Sequence, residues 1–267
     1  MLMERLRADM KKDERASAAA LPTRDILGIP VLVATNAQAV RLLDDCFESG
    51  SPTRVAFLNA NNSNLAADQP RLAEAFRASL VFNDGVGLDL ASRALYGSGF
   101  PENVNGTDFN PLFLRDTRHR LRVYLLGGHP GVPEKVAEEF RRIAPQHDYV
   151  GCRNGFFKPD EIPAITGEMA RLRADVLLVA LGTPLQEYWL ADHFAATGCR
   201  LGIAVGGLFD FASGNKPRAP LWIRRIQMEW VYRLLLEPRR MWRRYILGNA
   251  RFLARVARAA MTRKRAS

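Results

Sequence analysis

Apolar and polar residues change places along this chain with two alternating periods. Short apolar runs of three to six residues alternate with longer segments that have apolar positions every three or four residues. Ile29–Ala34, Arg54–Leu58, Leu80–Phe82, Arg122–Leu126, Tyr149–Cys152, Val176–Leu181 and Arg200–Val205 read as strands. Helical spacing spans about Ala37–Glu48, Leu72–Leu80, Pro133–Ile143, Glu161–Leu172 and Gln186–Ala195. Strands that alternate with helices predict an α/β fold with mostly parallel, Rossmann-like sheet and helices on both faces. Residues 1–24 read as a loose or helical extension, residues 25–214 as the α/β body, and residues 215–267 as a helical basic appendage.

Strand ends give this pattern its functional content. Ligands of open parallel sheets bind beyond the carboxyl ends of the strands. Here those ends are polar or glycine-rich: Asn59-Ala60-Asn61-Asn62, Asn83-Asp84-Gly85, Gly127-Gly128, Gly182-Thr183-Pro184 and Gly206-Gly207. They are expected to line one cleft. Gly127–Gly131, between a strand and a helix, suits either a phosphate cradle or a tight turn. Asp84 suits either a general base acting on an acceptor hydroxyl or an Asx turn or helix cap. Asn59 and Asn61 could bond sugar hydroxyls or cap a helix. Gln186 and Glu187 could face a nucleotide sugar or serve helix-start chemistry.

Charge separates the two ends of the chain. The net charge is +10 over 267 residues. Residues 215–267 hold 15 Lys and Arg against Glu229 and Glu237, which is +13, leaving −3 for residues 1–214. A polyanionic partner is implied, either an anionic lipid surface or nucleic acid. Arg233, Arg240, Arg244, Arg251, Arg255 and Arg258 recur at helical spacing. They are interleaved with Trp222, Ile226, Trp230, Leu234, Leu235, Trp242, Tyr245, Ile246, Phe252 and Leu253. Arginine with interfacial aromatics favours a helix lying in lipid headgroups over one on a nucleic-acid backbone. Pro238 is expected to divide this stretch into at least two helices.

Other chemistries lack their residues. No apolar run reaches the ~18–20 residues of a membrane span, and residues 1–20 show no signal-peptide pattern, so a cytoplasmic protein is expected. Cys46, Cys152 and Cys199 form no CxxC pair and read as reduced. No Asp-x-Asp, HExxH or GxSxG occurs, so neither a metal nor a cofactor is expected.

Several longer motifs then fall in one order: Phe82-Asn83-Asp84-Gly85-Val86-Gly87, Asn105-Gly106-Thr107-Asp108, Gly182–Trp189, Val205–Phe211, Arg218-Ala219-Pro220, Glu229–Arg233 and Glu237–Arg240. In these motifs the chain resembles the WecG/TagA/CpsF family of bacterial glycosyltransferases, from about Ile26 to Arg255. The resemblance implies inverting, metal-independent transfer of a sugar from a UDP-sugar to a polyprenyl-diphosphate-linked saccharide in surface-polymer synthesis. The enzyme would sit peripherally on the cytoplasmic face of the inner membrane, with self-association admissible. It implies Asp84 as catalytic base. Asn59, Asn61, Asn103, Thr107, Asp108, Gly127, Gly128, Gly182, Gln186, Gly206, Gly207 and Asp210 would hold the substrates. Arg233, Arg240 and Arg243 would meet the lipid diphosphate, with the tail folded over the site. Phe57 stands where many members carry Thr, and Asn103 where many carry Arg. The sugar is therefore left open between N-acetylmannosamine, a hexose such as glucose, and a uronic acid.

Overall fold

The computed structural model describes residues 21–220, 223 and 229–266, apart from the side chains of Arg233, Arg240, Met241, Arg244, Tyr245 and residues 264–266. The rest of the 1–24 extension, Trp222 and Ile226 lie outside the described residues.

The chain enters as a hairpin that the hydrophobic pattern does not reveal. Strands β1 (Thr23–Ile26) and β2 (Ile29–Leu32) pair antiparallel. Their two-residue turn has Leu27 at φ 55° and Gly28 at φ 88°, the paired positive φ of a type I′ turn. Leu at the first position hides the usual Asn-Gly or Asp-Gly signal. Only Ile26 of β1 is buried, so no alternation marks the strand. The 1–24 extension thus ends two residues inside a strand.

The main sheet has six parallel strands in the order β4-β3-β8-β7-β5-β6. They are β3 (Thr53–Leu58), β4 (Leu80–Asn83), β5 (Arg122–Gly127), β6 (Asp148–Arg153), β7 (Val176–Ala180) and β8 (Leu201–Ala204). The central strands read as unbroken apolar runs because both faces are covered. Helices α1 (Asn36–Ser49), α5 (Gly106–Asp116), α6 (Val132–Ile143) and α9 (Leu208–Ala212) bury Leu43, Phe109, Phe140 and Phe209 on one face. On the other face lie α2 (Ala60–Asp68), α3 (Pro70–Arg77), α4 (Val86–Tyr96), α7 (Ile162–Arg171) and α8 (Leu185–His193), burying Phe76, Leu88, Met169 and Trp189. Three of these helices (α2, α4 and α5) begin directly after Asn59, Gly85 and Asn105. Asn or Gly at these starts disguises them as loops in the sequence.

The tail forms α10 (Glu229–Leu236), α11 (Pro238–Trp242), a π turn over Arg243–Leu247, and α12 (Gly248–Ala266). Pro238 opens α11, where its missing N–H costs nothing. Helix α12 returns to the body. Phe252 is fully buried and Val256 nearly so, both within the core cluster of the α2/α4 face. Asn64 Nδ2 donates to the Gly248 carbonyl at 2.7 Å, and Arg255 donates to Asp68 at 2.7 Å. Arg251 pairs with the same carboxylate at 3.1 Å. The Arg255 hydrogen bond, with the charges of Arg255 and Arg251, holds the Asp68 carboxyl below its usual value. The expected arginine face is therefore divided: Arg251 and Arg255 point at the body, whereas Arg258 is exposed.

Candidate functional site

All six strands are parallel, so their carboxyl ends share one edge. A cavity of about 640 Å³ opens there. Asp84 follows β4 directly and Asn59 follows β3, and the register that pairs Leu58 with Asn83 places them side by side. Asn59 is the N-cap of α2, its Oδ1 accepting from the Asn62 amide at 2.9 Å. Its Nδ2 donates to Asp84 Oδ2 at 3.3 Å. The cap considered for Asn59 is thus present, and the same side chain reaches Asp84. Asn103 accepts the Gly85 amide at 2.7 Å and fixes the turn behind Asp84.

Next to this pair, Phe57 and Gly106 close the wall. A Cβ on Gly106 would lie 2.8 Å from the Phe57 ring, so only glycine permits that approach. Asn105 caps α5 through the amides of Thr107 and Asp108. Phe57, Asn59, Asn61, Asp84, Asn103, Thr107, Asp108, Gly128, Gly182, Gln186, Gly206, Gly207 and Asp210 all line the cavity.

Four candidate positions are engaged within the fold. Gly127 does not line the cavity; its φ is 129° and a Cβ there would meet the Ala180 carbonyl at 2.4 Å, so it serves close packing of β5 on β7. The Gly128 amide donates to Ala180 O at 3.1 Å and the Gly206 amide to Gln186 Oε1 at 3.1 Å. Both amides are thus spent inside the fold. Gln186 itself is buried, its Nε2 donating to Glu187 Oε1 at 2.9 Å. Its polar atoms thus brace the Gly206 turn. Glu187 also accepts from the Thr183 hydroxyl at 2.9 Å, and its Oε2 is buried without a hydrogen-bond partner among the described residues. Burial pushes its carboxyl above the ordinary value.

The lining also includes residues that the sequence does not single out: His129, Phe156, Lys216 and Asn249. Among the described residues, Lys216 is the one Lys or Arg on the lining, against Asp84, Asp108, Asp210 and Glu229. Lys216 Nζ lies 3.0 Å from Asp210 and 3.5 Å from Glu237. Arg218 joins Asp108 at 2.7 Å to Glu229 at 3.5 Å. Both cations therefore tie the body to the tail at the rim. Arg243 is exposed and away from the cavity lining, and the side chains of Arg233 and Arg240 lie outside the described residues. No group of three or more His, Cys, Asp or Glu that could hold a metal is found among the described residues. No described helix is long and apolar enough to cross a membrane.

Residues 24–266 match the family model of the glycosyl transferase WecG/TagA/CpsF family. Similar proteins include the N-acetylglucosaminyldiphosphoundecaprenol N-acetyl-beta-D-mannosaminyltransferases of Bacillus spizizenii and Bacillus subtilis. The first is 31% identical over 170 residues, 63% of this chain and 65% of that protein. The second is 30% identical over the same extent. The chain thus spans just under two thirds of the length of these relatives. With the family's motifs ordered along one cleft and its model matched over nearly the whole chain, this chain belongs to the WecG/TagA/CpsF family of glycosyl transferases.

Proposed function

We propose that the protein is an inverting, metal-independent glycosyltransferase that moves a sugar from a UDP-sugar to a polyprenyl-diphosphate-linked saccharide. The observation that carries this reading is Asp84, half-buried at the end of β4 and facing the cavity beside the Asn59 amide. The acceptor hydroxyl gives its proton to Asp84 as its oxygen attacks the anomeric carbon. The bond from that carbon to the diphosphate breaks with its electron pair, and UDP leaves. Attack from the face opposite UDP inverts the anomeric centre. The activity named for the two Bacillus relatives supports the acceptor class, an N-acetylglucosaminyl diphosphate on a polyprenol.

Leaving-group charge falls to Lys216, which exchanges its carboxylate partners for the diphosphate. Phe57 and Asn103, both at the wall beside Asp84, set the fit of the transferred sugar. In this reading residues 25–214 form the catalytic body, and residues 215–267 dock on an anionic membrane surface at its cytoplasmic face. Exposed Leu235, Leu236, Trp242, Ile246 and Leu247, beside exposed Arg239 and Arg243, support the docking, as apolar side chains enter the headgroup region and each basic residue adds roughly 1 kcal/mol. Arg233, Arg240 and Arg243 are the arginines assigned to the lipid diphosphate.

The test is UDP release with a panel of UDP-sugars and a short-chain polyprenyl-diphospho-N-acetylglucosamine acceptor. Acceptor-dependent release with one donor supports the reading. Absence of such release across the panel sinks it.

A further inference from the structure

Glu187 stands on α8 directly behind the cavity lining and is 4% exposed. Among the described residues no Lys, Arg or His pairs with it. A carboxyl buried without a cation is costly, and stability alone would favour an apolar side chain there. Its Oε1 shows what the group does instead. That one oxygen accepts from the Thr183 hydroxyl and from Gln186 Nε2, each at 2.9 Å.

The second of these bonds sets the next one. With an acceptor fixed at Nε2, the Gln186 carboxamide must turn its Oε1 the other way. That oxygen meets the Gly206 amide at 3.1 Å. Gly206 has φ 57°, a left-handed conformation from which glycine departs freely. The bond to Gln186 removes that freedom.

Strand β8 lies between β7 and β3, and its Ile203 pairs with Val55 of β3. The Gly206 turn therefore emerges beside Asn59, two strand spacings or roughly 10 Å from Asp84. Gly206 and Gly207 line the cavity there. A relay from Glu187 through Gln186 to Gly206 thus joins a buried helix residue to the part of the cleft next to the proposed base.

We propose that Glu187 is a positioning residue for sugar transfer, acting through Gln186 to fix the Gly206 turn. The inference rests on the UDP-sugar reading above for its turnover assay alone. Displacing groups beside a reacting centre by an ångström costs up to about 100-fold in rate.

The experiment joins NMR amide exchange at Gly206 with UDP release by the full chain, using the donor that the UDP-sugar panel selects. Glu187→Met is of similar length and cannot accept. It is expected to speed Gly206 exchange and to lower kcat by about 10- to 100-fold, with little change in KM. Glu187→Gln keeps an acceptor oxygen at the same reach and should retain both the slow exchange and most of the kcat. A double variant, Gln186→Ala with Glu187→Met, should turn over no more slowly than Gln186→Ala alone, because the two residues act in series. Wild-type exchange and kcat in Glu187→Met overturn the proposal, as do additive losses in the double variant. Circular dichroism checks each fold. Where Glu187→Met does not fold, Glu187→Asp, whose carboxyl is withdrawn by one methylene, carries the same expectations. A panel without turnover overturns the donor class, and Gly206 exchange in Glu187→Met against Glu187→Gln then decides the positioning role by itself.

Discussion

Asn59 Nδ2 stands 3.3 Å from Asp84 Oδ2, each residue one position beyond the end of adjacent parallel strands. The same Asn59 side chain caps α2. One carboxamide therefore starts a helix and aims the proposed base.

The two roles of Asn59 can be separated. Asp84→Asn should lower kcat by about 10²–10⁴-fold with little change in stability. Asn59→Ala should cost about 0.5–2 kcal/mol through the lost cap and also lower kcat. Asn59→Ser keeps a capping oxygen but cannot donate to Asp84 over the same reach. It should restore most of the stability and little of the rate. If Asn59→Ser turns over like wild type, Asn59 does not orient Asp84.

Glu187 makes stability depend on pH. Burial raises its folded-state pKa above the unfolded value. Between those two values the folded chain holds a proton that the unfolded chain has lost. Stability contributed by the neutral carboxyl is thus full below the unfolded value and declines as pH rises toward the folded one. Glu187→Gln removes that titration. Its melting temperature relative to wild type should rise as pH increases from about 4 toward neutrality. A difference that stays flat with pH refutes this account.

Lys216→Met tests the countercharge. A charge-assisted bond to phosphate is worth roughly 1.5–3 kcal/mol, so UDP affinity should fall on the order of tenfold or more. The salt dependence of UDP binding should weaken with it. Unchanged affinity in titrations at low and high salt would remove Lys216 from the diphosphate.

Phe252 tests the return of the tail. Phe→Ala at a fully buried site costs about 3–5 kcal/mol, and Phe252 sits in the body's core. Phe252→Ala should lower the melting temperature and speed proteolysis after the π turn at Arg243–Leu247. An exposed neighbour such as Leu253 should tolerate alanine without either effect. Equal behaviour of the two variants would place α12 off the body.

The parallel sheet was legible because its buried strands carry near-continuous apolar runs, as in Val176–Ala180. The place of Asp84 at a strand end was legible because it follows such a run. Helices α2, α4 and α5 were not, since Asn59, Gly85 and Asn105 begin them with residues that also mark loops. The inward turn of Gln186 was also hidden. A glutamine at a helix start looks the same whether it meets a ligand or braces a glycine turn. Phe156 left no periodic trace, because it stands exposed in the loop after β6. The division of the tail arginines depends on Asp68, more than 180 residues away in sequence.

Lys216 shares its charge between Asp210 of the body and Glu237 at the start of α11. An anion that takes Lys216 must compete with both carboxylates. If Lys216 holds the donor diphosphate as proposed, donor affinity and the hold on the tail become two ends of one equilibrium. By thermodynamic reciprocity, whatever draws the tail away from Lys216 strengthens donor binding by the same factor that donor binding loosens the tail. A membrane that claims the tail would in this way prime the cleft for its nucleotide.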